Sequence, residues 1–154
     1  MAKHFVLIAL FLLISSTYAL QKATKPFTGT DDLFDFVLKG DHEIYVLFFF
    51  NSKDMSASGN QELSEHVGHE RQELAETLQT FGDNVFYAEV DTGRGDFNEA
   101  TQALSLSSEN LKTYPATIVL DDSNGIWITG PNEAYIAKQR IEVLLKDPFN
   151  STFF

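Results

Sequence analysis

"YVLFFFNSKDMSASGNQ", Tyr45 to Gln61, changes character abruptly after Phe50. The run "EIYVLFFF", Glu43 to Phe50, is rich in β-branched and aromatic residues and shows no polar alternation. An apolar run on both parities belongs to a central strand covered on both faces, the pattern of α/β sheets. From Asn51 onward the residues are small and polar, so the strand breaks into an exposed junction. That junction decides both the fold and the search for a site.

Working outward, Gln21 to Gly29 is a short polar lead-in containing Pro26. Thr30 reads as a helix N-cap, Asp31 and Asp32 favour the helix dipole in the first turn, and Gly40 stops the helix. The pairs Leu33/Val37 and Phe34/Leu38 predict one buried face. Beyond the junction, Glu62 to Phe81 carries Leu63, Val67, Leu74, Leu78 and Phe81 at helical spacing, ended by Gly82. "NVFYAEVD", Asn84 to Asp91, predicts a second strand, and a short helix follows Asp96. "YPATIVLDD" and "GIWITG" predict two more strands. Ser123-Asn124-Gly125 between them is a tight-hairpin signal that makes them antiparallel neighbours. Asn132 reads as the cap of a last helix through about Asp147, with Ala137, Ile141, Leu144 and Leu145 inside. One domain is expected over 30–147, with a tail at 148–154.

The chain has 154 residues, 44% of them hydrophobic and 21% charged, which suits one globular domain able to bury a core. Fourteen phenylalanines make that core aromatic-rich. The amino terminus is read separately. Met1 to His4 is a short basic region, Phe5 to Ile14 is unbroken apolar sequence, and Thr17-Tyr18-Ala19 resembles a cleavage site. This is the grammar of a secretory signal peptide cut after Ala19. The alternative is an uncleaved membrane anchor from Phe5 to Leu20, which is short for a span. Cleavage removes Lys3 and moves the net charge from −11 to −12. Such an acidic chain repels phosphate backbones, so nucleic acid is excluded as an expected partner. With no cysteine, neither disulfide staples nor thiol chemistry is available. Asn150-Ser151-Thr152 is a glycosylation sequon consistent with transit through the endoplasmic reticulum.

This order of elements resembles the thioredoxin fold, an α/β architecture with a central mixed sheet of four to five strands flanked by helices. "YVLFFFNSKDMSAS" is similar to the strand that enters the thioredoxin active site, "VFYAEVD" to the strand after it, and "TYPATIVLDDSNG" to the cis-proline strand with its hairpin. The resemblance covers Thr30 to Leu145. Carried over without gaps, the CxxC positions fall on Asp54, Met55, Ser56 and Ala57, and the cis-proline on Pro115 after Tyr114. The resemblance thus implies a redox-inactive member, because thiol–disulfide exchange needs a thiolate and a resolving sulfur. It also implies a groove for an extended peptide, floored by Met55, Tyr114 and Pro115 and charged by Asp54.

Other signals are weaker. His66 and His69, set among Glu62, Glu65, Glu70 and Glu73, are the only candidates for a divalent metal. Their spacing is not His-Glu-x-x-His and no third ligand is evident, so they read as part of a solvated acidic helix face rather than as a metal site. Arg94-Gly95-Asp96 reads as turn chemistry rather than a recognition tripeptide. "DDSNG" does not fit a calcium loop. Trp127 reads as core or edge packing. No Ser/His/Asp constellation and no phosphate loop is present. The expectation is a non-catalytic protein- or peptide-binding module of the secretory pathway, lumenal or extracellular, with no cofactor. One alternative is a structural subunit of a larger assembly, membrane-bound if the amino-terminal segment is retained. Another is a metal-dependent enzyme using His66 and His69.

Overall fold

The computed structural model describes residues 20–146 apart from 24, 40–43, 58 and 122–123. The amino-terminal apolar segment with its expected cleavage site, and the Asn150 sequon, lie outside the described residues. Among the described residues no helix is long and apolar enough to cross a membrane.

The strand that opened the reading, β2 (Ile44–Phe50), is buried along its length except at Phe50. Its side chains alternate between two cores, as strand geometry requires. Ile44, Val46 and Phe48 enter one core and Tyr45, Leu47 and Phe49 the other. β2 is flanked on one side by the parallel strand β3 (Val85–Asp91) and on the other by the antiparallel strand β4 (Ala116–Asp121). The antiparallel strand β5 (Asn124–Thr129) closes that edge. The opposite edge carries a strand the sequence did not announce. β1 (Gln21–Lys22) pairs parallel with β3 at Phe86 and Tyr87, giving the order β1-β3-β2-β4-β5. The lead-in is therefore part of the folded unit, which begins before residue 30.

Helix α1 (Thr30–Lys39) turns Leu33 fully inward, with Phe34 and Val37 packed against the same core. Leu38 is 78% exposed, contrary to the expected pairing with Phe34. At 100° per residue it sits roughly 140° around the helix from Leu33. A short helix, α2 (Ser52–Ser56), occupies the junction and is separate from the long α3 (Gln61–Leu78). The α3 stripe of Leu63, Val67, Leu74 and Leu78 is buried as predicted, and Glu70 is buried among them. A 3₁₀ turn follows at Gln79–Asn84. Helix α4 (Asn98–Ala103) packs Ala100 on the α1 side of the sheet. Helix α5 (Glu133–Lys146) lies with α3 on the other face, burying Ala134, Ala137, Ile141 and Leu144. Leu145, expected inside, is 39% exposed at the rim of that stripe.

In the hairpin, Asp121 pairs with Asn124, so Asn124 and Gly125 belong to β5 rather than to the turn. A side chain on Gly125 would fall 2.7 Å from Leu120 Cδ2 and 3.0 Å from Ile118 Cδ1, so those two side chains would have to shift to admit it. Trp127 is half-buried, packs beside Phe49 at 5.6 Å between ring centres, and donates its indole N–H to the Leu104 carbonyl. The residues of Arg94-Gly95-Asp96 have internal partners. Arg94 pairs with Asp91, and the Asp96 carbonyl accepts the Thr30 N–H at 2.9 Å.

Candidate functional site

The junction begins where β2 runs out of ladder. Asn51 caps α2, its Oδ1 accepting the N–H groups of Lys53 (3.0 Å) and Asp54 (3.2 Å). Asp91, paired in register with Phe50 at the end of β3, reaches across. Its Oδ1 accepts Ser52 N–H and Gly93 N–H, both at 3.0 Å, while Oδ2 holds Arg94 Nε at 3.0 Å. A side chain on Gly93 would fall 2.7 Å from Asn51 Oδ1, so only glycine lets this loop close over the cap. On the far side Asn60 Nδ2 donates to the Asp54 carbonyl at 3.0 Å. The Asn51 and Asp91 Oδ1 bonds satisfy backbone N–H groups at the start of α2 and in the facing loop that would otherwise be left orphaned. The junction is a pinned turn.

Of the residues carried over to this turn, Asp54 and Met55 are half-buried and Ser56 and Ala57 exposed. Met55 packs on the core beneath. Ser56 Oγ donates to the Ser52 carbonyl at 2.7 Å, and Ala57 N–H donates to Asp54 O at 3.2 Å. Positions 54 and 57 thus bracket a single helical turn. The double variant Asp54→Cys/Ala57→Cys is expected to close an intramolecular disulfide under mild oxidation, read by intact mass and thiol titration. Two persistently titratable thiols would place the carried-over register elsewhere in the loop.

The second half of the expected groove needs correction. The Tyr114–Pro115 bond is trans, as are all peptide bonds among the described residues. The 3₁₀ turn Asn110–Lys112 delivers the chain to β4 with the Asn110 carbonyl accepting both Thr113 and Tyr114 N–H. In that setting the X-Pro bond keeps the form it intrinsically prefers. Pro115 is buried just ahead of β4, where its missing N–H interrupts no ladder. Tyr114 stacks on His66 with ring centres 4.4 Å apart and planes 9° from parallel.

Tyr114 lines a shallow depression with Thr113, Thr129 and Gly130, whereas Met55 lines a larger cleft. Lys112, exposed beside this depression, pairs with Glu109 at 2.8 Å. Its ammonium is held charged above the ordinary range, chiefly by its bond to Glu109 and also by Asp54.

The larger cleft, about 550 Å³, was invisible in the sequence because its walls come from five segments. Phe27, Phe50 and Met55 are its apolar lining, and Lys22, Lys25, Arg71 and Arg94 its cations. The Arg71 guanidinium lies over the Phe50 ring at 4.6 Å and beside Phe48 at 5.8 Å. Arg71 Nε is 3.1 Å from Glu89 Oε2, an ion pair without good hydrogen-bond alignment. Glu89 also accepts the Tyr87 hydroxyl at 3.2 Å and lies 3.8 Å from Lys22. Burial first, and then Glu89, push the Tyr87 hydroxyl well above the usual phenol range.

The candidate metal residues have separate engagements. His66 is stacked on Tyr114, whereas His69 faces Glu73 at 3.4 Å and Glu70 at 3.9 Å. Ligand atoms of His69, Glu70 and Glu73 lie within 4.8 Å of one another. Glu70, however, turns inward to cap α5, accepting the N–H groups of Asn132 (3.3 Å) and Glu133 (3.1 Å). That cap was expected from Asn132 itself. Glu133 is fully buried, with Oε2 accepting the Thr117 hydroxyl at 2.6 Å and Oε1 without a hydrogen bond. Burial pushes its carboxyl up to about 8; the Thr117 bond opposes the rise and Glu70 adds to it.

No family model matches the chain, and no curated protein matches it. Solved structures do. Chloroplastic thioredoxin z superposes with a TM-score of 0.55 at 11% identity, covering 82% of this chain and 95% of that one. Thioredoxin from Trypanosoma brucei brucei gives 0.55 at 13% identity, covering 86% and 96%. The Schistosoma mansoni thioredoxin pre-protein gives 0.50 at 16%, covering 83% and 96%. At these identities the likeness speaks for the fold alone. The chain has a thioredoxin-like fold, built without a single cysteine.

Proposed function

We propose that this protein is a non-catalytic protein-binding module of the secretory pathway, without thiol–disulfide oxidoreductase activity, whose binding face carries the junction. One observation carries the reading. The turn at the end of β2, onto which the resemblance carries the reactive pair, is pinned by Asn51, Asp91 and Asn60, and the chain has no cysteine. A turn pinned by side chains and carrying no thiol is suited to recognition. The amino-terminal basic and apolar run supports the compartment.

A second reading, a structural subunit of a larger assembly, is favoured by the outer face of α5. Tyr135 is 62% and Val143 53% exposed there. The two readings are separated by placing a photo-crosslinking side chain at Ser56 or at Tyr135 in the full chain expressed in its own secretory pathway. Protein adducts from Ser56 but not Tyr135 are expected. Adducts from Tyr135 alone would transfer the assignment to the subunit reading.

A further inference from the structure

Resting on the binding-module reading, we infer that the cleft beside the junction is the receptor for an extended partner segment carrying acidic side chains next to an aromatic one. The chain has 22 acidic and 11 basic residues, yet this cleft gathers four of the basic ones and only two acidic ones, Glu89 and Asp91. A local positive basin in an acidic molecule selects short anionic segments and repels polyanions such as nucleic acid.

The cations are only partly spent on internal partners. Arg71 meets Glu89 through Nε, which leaves its terminal nitrogens as donors. Lys25 is exposed and makes no ion pair among the described residues. Nor do they converge on one point. Lys22 stands on β1, Lys25 in the lead-in, Arg71 on α3 and Arg94 beyond β3. That spread suits carboxylates strung along a segment, not one terminal carboxylate, which needs a focused nest of donors. Between the cations lie Phe27, Phe50 and Met55, which give an aromatic side chain its apolar seat. The volume, about 550 Å³, is that of a ligand pocket.

The probe is the unlabelled peptide acetyl-Gly-Asp-Phe-Glu-Gly-amide, with its Asn/Gln counterpart as control, titrated by amide shift mapping on the full chain. Binding of the acidic peptide is expected, weakened about tenfold or more in the amide counterpart and falling with salt. Shifts should fall on Ala23, Phe27 and Arg71. Lys25→Glu, an exposed change that spares the fold, is expected to weaken binding about tenfold, and Arg71→Gln at least as much. Equal binding of both peptides, or indifference to Lys25→Glu, overturns the cleft assignment. So does a result in which peptides selected from an unbiased library bind only at 54–57 or Tyr114, although the module reading then survives. If neither the acidic probe nor any selected peptide binds, both fall.

Discussion

Replacing Glu133 with glutamine is expected to abolish a steep loss of stability that the unsubstituted chain should undergo between about pH 5 and pH 8. Glu133 opens α5 yet has no exposure to water, held between the Thr117 hydroxyl and the Glu70 carboxylate. Its carboxyl titrates at about 8 in the folded chain against the ordinary 4.5. Between those values the folded state keeps a proton that the unfolded chain has released. The native state therefore binds more protons, and stability falls as pH rises through the window. Above the folded value both states are ionised and the slope vanishes. At about 1.4 kcal/mol per unit, the full window is worth on the order of 5 kcal/mol. Glutamine keeps the shape and an oxygen for Thr117 but does not titrate. Urea midpoints measured from pH 5 to pH 8.5 should converge for the two proteins at the acid end and separate toward pH 8, with Glu133→Gln the more stable. Parallel curves would mean that Glu133 is ionised in its site.

Phe48→Ala is expected to cost about 3–5 kcal/mol, a large share of the stability of a domain this size. Phe48 sits midway along the central strand, opposite Glu89 on one side and Thr117 on the other, and is fully buried. Truncation removes apolar burial and leaves a cavity beneath Arg71, whose guanidinium also loses one of its two aromatic faces. No disulfide shares the load. Phe48→Leu keeps most of the volume and should cost well under half as much. Denaturant unfolding of both variants checks this, and a cost below about 1 kcal/mol for alanine would contradict the placement of Phe48 between sheet and α3.

These two residues mark where the sequence was and was not legible. Phe48 announced itself, because a strand buried on both faces has no polar parity and α/β sheets are the usual home for one. The α3 stripe was equally plain, since four apolar residues at helical spacing have one physical use. Glu70 lies in the same stripe but reads as a gap in it. Nothing local tells a buried acid from a solvated one when its partners, the N–H groups of Asn132 and Glu133, are over sixty residues away. β1 escaped because two residues have no period. Proline at 115 was visible, but its isomer depends on the turn that delivers it. The cleft escaped for the same reason as Glu70, its cations being scattered from Lys22 to Arg94. The junction itself was legible as a position; what pins it, Asp91 reaching back from β3, belongs to the tertiary structure.

The most direct test of the central claim, a recognition face at the junction, is amide shift mapping of the full chain with peptides selected from an unbiased display library. Shifts confined to 51–57, the cleft residues beside them and 113–115 are the predicted result. Selected peptides that perturb only the outer face of α5, at Tyr135 and Val143, would contradict it.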